Sequence, residues 1–309
     1  MPRRPHPDSE EALENAVLSQ IFDQLLGWEP VVAYSETLGP DGTLGRDSWD
    51  EVVLTRYLRN ALQRFNPDAP AEAINLALEE LTRDRSTLTL ASANREIYDL
   101  LKKGVRVTFR DNNYEQQVQT LQVIDWRNPN HNHFLMVSQL WVSGEYGNKR
   151  ADLVGFVNGL PLVFIELKAH HRRLELAYKN NLSDYKTTIP HLFWYNAFIL
   201  LSNGSKSCIG TITATWEHFS EWKKICDENE AGIISLDTIV QGTCDKTRLL
   251  DLVENFTVFF TTQGTTTKIL AKNHQFLGVN NAIDSVQQIQ HNQGRLGVFW
   301  HTQGSGKSF

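Results

Sequence analysis

The stretch Arg150 to Lys168 constrains this chain more than any other. Two apolar, β-branched-rich runs, Leu153 to Val157 and Leu162 to Leu167, flank Asn158-Gly159, a dipeptide that favours tight reversals, so the text predicts two antiparallel strands. Three charged residues are set into them: Asp152, Glu166 and Lys168.

The strand period of two decides what these charges can do together. Glu166 and Lys168 are two apart and share a face. A two-residue loop at Asn158-Gly159 pairs Val157 with Leu160 and sets Asp152 opposite Ile165, on the other face. A three-residue loop, Asn158-Gly159-Leu160, pairs Val157 with Pro161 and sets Asp152 opposite Glu166, with Cβ atoms roughly 5 Å apart. The three-residue loop is the expectation, because it lets both carboxylates grip one hard cation.

Burying two carboxylates and an ammonium among Val, Phe, Ile and Leu costs several kcal/mol per unpaired ion. A divalent metal offsets the carboxylate repulsion, and such a cluster suits hydrolysis of a phosphodiester, with the lysine opposing developing negative charge or orienting water. For Glu-Leu-Lys alone a strand-end salt bridge is the plainer reading. Asp152 across the Asn-Gly turn shifts the balance toward chemistry.

Asp152 followed by Glu166-Leu167-Lys168 resembles the PD-(D/E)xK nuclease motif, with Ala151 where that family often has proline. The wider text resembles the amino-terminal part of the restriction (R) subunit of type I restriction-modification enzymes. The likeness is carried by the runs Asn132 to Trp141, Arg150 to Lys168, Ile189 to Asn196 and Val298 to Ser308, and it is weakest over about the first hundred residues. It implies a restriction-endonuclease-like α/β fold, a mixed β-sheet core flanked by helices, followed by the start of a RecA-like helicase domain. It also implies Asp152 and Glu166 as Mg²⁺ ligands, with the Leu167 carbonyl a third, and Lys168 as the catalytic cation. A glutamate of the first helix can approach the metal in related nucleases, which points to Glu14; a solvated helix face is the rival reading there. Many of these nucleases follow the lysine with Gln-x-x-x-Tyr on a helix. Here Asn181 and Tyr185 hold those positions, so the tyrosine is kept and the amide arm is shortened.

The chain has 309 residues, 41% of them hydrophobic, enough for one large or two modest domains with a proper core. A net charge of -6 argues against general nucleic-acid coating, so a nuclease needs local basic surface. Candidates are Lys102-Lys103 with Arg106 and Arg110, Lys149-Arg150, and His170 to Arg173. Three cysteines without a Cys-x-x-Cys pair fit a reducing cytoplasm, and no apolar run is long enough to span a bilayer.

Ahead of the hairpin, Asp8 and Glu11 form a capping box for a helix ending at Gly27; further helices are expected over 49–64, from Pro70 through Leu81, and from Ala93 to Lys103. Strands are expected at 105–109, 117–126, 134–142, 197–202 and 208–212, with a helix over 175–187. Trp216, Phe219 and Trp222 are spaced as a helix face, and residues 247–260 read as a buried helix before a Thr-rich loop. The domain boundary is placed there: 1–260 for the nuclease part with its helical N-terminus, 261–309 for a linker and motor elements.

A helix over 280–291 precedes a second chemical signal. Leu296 to Trp300 reads as a buried strand running into Gln303-Gly304-Ser305-Gly306-Lys307-Ser308, a Walker A context in which loop amides cradle the phosphates of ATP, Lys307 reaches them and Ser308 binds Mg²⁺. By resemblance, Gln275 contacts adenine. The text stops at Phe309 before any Walker B acid, so the expectation is a fragment without ATP turnover of its own.

The leading expectation is thus the Mg²⁺-dependent endonuclease domain of a type I restriction R subunit. By resemblance, its partners are double-stranded DNA and the modification (M) and specificity (S) subunits. A pure ATP-driven motor with a DNA-binding N-terminal module, and a decayed nuclease fold kept for subunit docking, are the rivals.

Overall fold

In the computed structural model, residues 10–110, 113–291 and 293–298 are described. The chain opens with α1 (Glu10–Ala16), which continues as a π-helix over Val17–Leu25 and stops at Gly27, whose φ of +63° suits glycine. The expected capping residue Asp8 lies outside the described residues.

Among the described residues ten strands follow: β1 (Glu29–Val32), β2 (Val105–Arg110), β3 (Gln116–Leu121), β4 (Phe134–Gly144), β5 (Gly147–Val157), β6 (Leu160–Leu167), β7 (Phe198–Ser202), β8 (Ser207–Gly210), β9 (Thr257–Thr262) and β10 (Thr265–Leu270). Six form the central sheet in the order β1-β4-β5-β6-β7-β8. The β4-β5-β6 meander is antiparallel, while β1 joins β4 and β7 joins β6 in parallel, giving a mixed sheet. Its central strands are buried on both faces, which is why Leu160 to Leu167 carries an almost unbroken apolar run.

The turn between β5 and β6 corrects the expected loop. Val157 pairs with Leu160, so the connection is the two-residue Asn158-Gly159, with φ of +51° and +83° at the two positions. Both positive angles define a type I′ turn, whose twist matches that of the flanking strands. That turn alone would send Asp152 to the wrong face. The register then shifts by one residue, since Phe156 pairs with Pro161 but Gly155 pairs with Val163, leaving Leu162 as a bulge. Beyond it Leu153 faces Ile165, and the next step sets Asp152 opposite Glu166. The expected face-sharing is present, reached by a tight turn and a bulge. Pro161 is the physical reason: lacking an N–H, it is tolerated inside a sheet next to such an irregularity.

The turn is anchored from three sides. Asn158 is fully buried; its amide donates to the carbonyl of Val123 (3.0 Å) and to Asn132 Oδ1 (2.8 Å), and its Oδ1 accepts from the N–H of His133 (2.8 Å). The Gly159 carbonyl accepts from Leu54 N–H at 2.8 Å, and a Cβ at Gly159 would lie 2.4 Å from the Leu54 carbonyl oxygen.

Helices α2 (Thr55–Phe65), α3 (Ala71–Thr82) and α4 (Leu90–Lys103) form the layer before the meander. The 49–64 helix therefore starts later than expected; Trp49 instead stacks on Trp141 with ring centroids 6.1 Å apart. The segment after β6 is helical from 174 to 188: α5 (Leu174–Leu176), a π-helical turn Ala177–Leu182, and α6 (Ser183–Thr188). Its π-helical part and α1 pack on β6, and α6 packs on β5.

Three further expectations change. The aromatic run yields a single 3-10 turn, Trp216–His218, because its rings serve three different contacts: Trp216 stacks on Phe219, Phe219 covers Gly210, and Trp222 is fully buried against Phe276. After the short α7 (Pro190–Phe193) that precedes β7, the next helices are α8 (Leu236–Cys244) and α9 (Lys246–Glu254). The Thr-rich stretch is the β9-β10 hairpin rather than a loop, as β-branched residues favour. A division at 260/261 falls inside this hairpin, which is pinned to the main body by Lys268. That ammonium is buried and donates to Asn94 Oδ1 (3.0 Å) and the Asn196 carbonyl (2.6 Å). After α10 (Asn273–Gln287), Leu296 to Val298 do not form the expected strand; Val298 is 89% exposed and has no neighbouring strand to pair with among the described residues.

Candidate active site

Asp152 on β5 and Glu166 and Lys168 at the end of β6 meet on one face, beneath α1 and the 174–188 helix. Asp152 Oδ2 accepts a hydrogen bond from the Leu167 N–H at 2.8 Å, which ties its carboxylate to the neighbouring strand. Glu166 is 1% exposed. Its Oε1 accepts from Lys168 Nζ (2.7 Å) and from the Asn181 amide (2.6 Å), whereas its Oε2 is buried without a hydrogen-bond partner. Lys168 Nζ also donates to the Leu167 carbonyl at 2.8 Å and lies 4.0 Å from Glu10 Oε1.

The electrostatics follow from burial. Removal from water, followed by the nearby Asp152 charge, pushes Glu166 up to about 8 despite the bonds from Lys168 and Asn181. Burial likewise raises Asp152, opposed by its hydrogen bond from Leu167 and the charge of Lys168. Burial works against the charge on Lys168, but the two carboxylates outweigh it and hold the ammonium above its ordinary value. Two carboxyl groups that resist ionisation side by side, one with an unused buried oxygen, form the donor set that a hard divalent cation satisfies. Among the described residues no three His, Cys, Asp or Glu side chains converge as a cage by themselves. Mg²⁺ does not require one, because it keeps several waters and uses one or two carboxylates.

Glu14 approaches from α1. It is 6% exposed and pushed up to about 7, chiefly by burial and partly by Asp152, against a hydrogen bond from the Gln139 amide. Tyr185 lies beside the carboxylates, close enough for Glu166 and Asp152 to act on its phenol. Its hydroxyl donates to the Arg150 carbonyl at 2.8 Å, bracing β5 two residues before Asp152, and burial raises its pKa. Asn181 keeps contact with Glu166 on its shorter arm, because the π-helical turn carrying it packs directly on β6.

His170 to Arg173 are exposed immediately past Lys168, and Arg150, two residues before Asp152, is exposed and acts electrostatically on both Asp152 and Glu14. A separate cleft of about 680 Å³, lined in part by Asp50, Arg56, Arg59 and His191, contains none of the three motif residues. Gln275 sits in the first turn of α10, where its Oε1 accepts from Lys272 N–H at 2.8 Å. Gln303, Gly304, Ser305, Gly306, Lys307 and Ser308 lie outside the described residues.

Gln139 was not singled out by sequence reasoning. A polar residue inside an apolar strand, flanked by Ser138 and Leu140, was the available signal.

Comparison with known proteins gives two matches to family models: residues 7–218 match type I restriction enzyme R protein N terminus, and residues 274–309 match SWI2/SNF2 ATPase. The chain is 34% identical over 311 aligned residues to the type I restriction enzyme HindI endonuclease subunit of Haemophilus influenzae, an alignment covering 97% of this chain and 29% of that protein. It is 26% identical over 292 residues to the MjaIXP endonuclease subunit of Methanocaldococcus jannaschii, provisionally named a type I restriction enzyme, covering 85% of this chain and 27% of the relative. The chain thus spans less than a third of the length of either relative. No helix among the described residues is long and apolar enough to cross a membrane.

Proposed function

The chain belongs to the N-terminal family of type I restriction enzyme R proteins, and from that premise we propose that it carries the Mg²⁺-dependent DNA endonuclease module of such an enzyme, hydrolysing phosphodiester bonds of unmodified DNA. In this reading the mixed sheet is a restriction-endonuclease-like core. Beyond the β9-β10 hairpin, the segment that matches SWI2/SNF2 ATPase begins a RecA-like motor in which Gln275 faces adenine and Gln303 to Ser308 hold the phosphates of ATP. In a longer polypeptide, cutting is coupled to ATP-driven DNA translocation, beside M and S subunits.

The observation that carries the nuclease reading is the buried, unpartnered Oε2 of Glu166, set across from Asp152 and next to the Lys168 ammonium. Asp152, Glu166 and the Leu167 carbonyl are the groups that would hold Mg²⁺, with Glu14 behind them. When bound, the ion supplies Lewis-acid polarisation of the scissile phosphate and a more acidic water. The protein's own groups do the rest. Asn181 and Lys168 occupy Oε1 of Glu166 and so leave Oε2 as the free donor. Lys168, held between Glu166 and the Leu167 carbonyl, presents a point charge to the phosphate as negative charge grows on it. Tyr185 fixes the backbone at Arg150 and thereby the height of Asp152 in the strand. His170 to Arg173 offer cationic surface to the DNA backbone next to the scissile position.

Calorimetric titration of Mg²⁺ or Mn²⁺ into the wild-type chain and Asp152→Ala tests this directly. Saturable binding in the wild type and its loss in the variant are expected. Absence of binding in the wild type sinks the metal-site reading.

A further inference from the structure

We propose that Gln139 is a positioning residue for the carboxylate site: it holds Glu14 beside Asp152 from the neighbouring strand. The proposal rests on the metal-site reading above and adds a residue to it. Five non-glycine residues among those described have positive φ; Tyr114, Asn158, Gln263 and Gln293 lie in turns or bends. Gln139, at φ +56°, lies inside the eleven-residue strand β4.

Pairing with β5 is regular on either side of it, Ser138 with Leu153 and Leu140 with Ala151, so the distortion is confined to the position that faces Asp152. Carried on to β6, the registers set Gln139, Asp152 and Glu166 in one row across three adjacent strands. The Gln139 amide donates to Glu14 Oε2, which links the sheet to α1 at this row. A left-handed non-glycine residue within a strand is unfavourable and persists only where its surroundings hold it, and such residues cluster at functional sites.

The chemistry of the amide fits the task. It stabilises an ionised carboxylate by hydrogen bonding but brings no positive charge, so it holds Glu14 without repelling a cation seated between Asp152 and Glu166. A lysine or arginine there would neutralise Glu14 and compete with the metal. Groups that orient metal-binding side chains in this way are worth 10–100-fold in metal affinity as a rule.

The test compares Gln139→Gly, Glu14→Gln and the double variant with the wild-type 309-residue chain, by Mn²⁺ titration and by thermal unfolding in EDTA. Glycine relieves the backbone and removes the amide. The expected result is Mn²⁺ binding weakened by about 10- to 100-fold with an unfolding midpoint equal to or above that of the wild type. In the Glu14→Gln background the glycine should cause no further loss, since its effect passes through Glu14. Unchanged Mn²⁺ affinity in Gln139→Gly, or equal losses in both backgrounds, overturns the proposal while leaving the metal site standing. A lowered midpoint with unchanged affinity makes Gln139 a structural strut and also overturns it. Failure of the wild type to bind Mn²⁺ at all refutes the metal-site reading, and this proposal with it.

Discussion

Replacing Glu166 with glutamine should make the metal-free chain more stable at pH 8 than the wild type, although the residue lies at the centre of the site. Glu166 is 1% exposed, and burial beside Asp152 pushes its folded-state pKa from an ordinary 4.5 up to about 8. Below pH 4.5 the carboxyl is protonated in both folded and unfolded chains, and above about 8 it is ionised in both. Between the two the folded chain keeps a proton that the unfolded chain has released, so stability falls as pH rises through this window. Each pH unit of the window costs about 1.4 kcal/mol, so the buried carboxyl pair that Glu166 forms with Asp152 loses on the order of a few kcal/mol across it. For a chain of this size that corresponds to a loss on the order of 10 °C in unfolding midpoint. Glutamine keeps an acceptor oxygen for Lys168 and Asn181 and carries no proton to lose. Urea unfolding in EDTA at pH 5, 6, 7 and 8 should therefore show a falling wild-type stability and a flatter curve for Glu166→Gln, crossing before pH 8. Parallel curves would falsify the reasoning, because they would mean that Glu166 titrates near its ordinary value in the folded chain.

Other outcomes follow from the same structure. Lys268, buried among neutral partners, is held down to about 7 by desolvation, so the unfolded chain binds the extra proton between pH 7 and 10.5 and stability rises with pH there; Lys268→Met should abolish that rise in denaturant titrations. Gly159→Ala should cost about 3 kcal/mol or more, because the added Cβ meets the Leu54 carbonyl at 2.4 Å on a residue with positive φ, a loss measurable by chemical unfolding. Tyr185→Phe deletes one buried hydrogen bond to the Arg150 carbonyl and should lower stability by about 1 kcal/mol, while weakening Mn²⁺ binding far less than Asp152→Ala does.

Much of this site could be read before any coordinates, for identifiable reasons. Face-sharing of Asp152, Glu166 and Lys168 follows from a period of two and a turn dipeptide, both local properties of the text. The means of achieving it did not: the tight turn and the Leu162 bulge cancel in their effect on register, and only Pro161 marked the irregularity. Gln139 was illegible because its role depends on β4 lying beside β5 and on α1 bringing Glu14 to it, contacts between residues far apart in sequence. The same holds for β1, whose Glu29-Pro30 start and exposed edge gave no alternating pattern; it exists because β4 offers it a parallel partner. Trp216, Phe219 and Trp222 carried a helical spacing, but tertiary contacts in three directions overrode it. The Thr-rich segment deceived in the opposite sense, being polar in composition and strand-forming in shape.

The distances along the chain between the parts of the site also order its assembly. Asp152, Glu166 and Lys168 come from one hairpin with a two-residue turn, a short loop to close and hence an inexpensive one in chain entropy. Glu29 meets Leu135 only after more than a hundred intervening residues have been gathered in, and α1 precedes even that strand. During synthesis α1 therefore emerges before the strands it packs on, and Glu14 must wait for the entire meander before it finds Gln139. The hairpin charges can meet early, but the carboxylate that α1 brings arrives only when the sheet is complete, so a half-made chain holds the motif without the finished site.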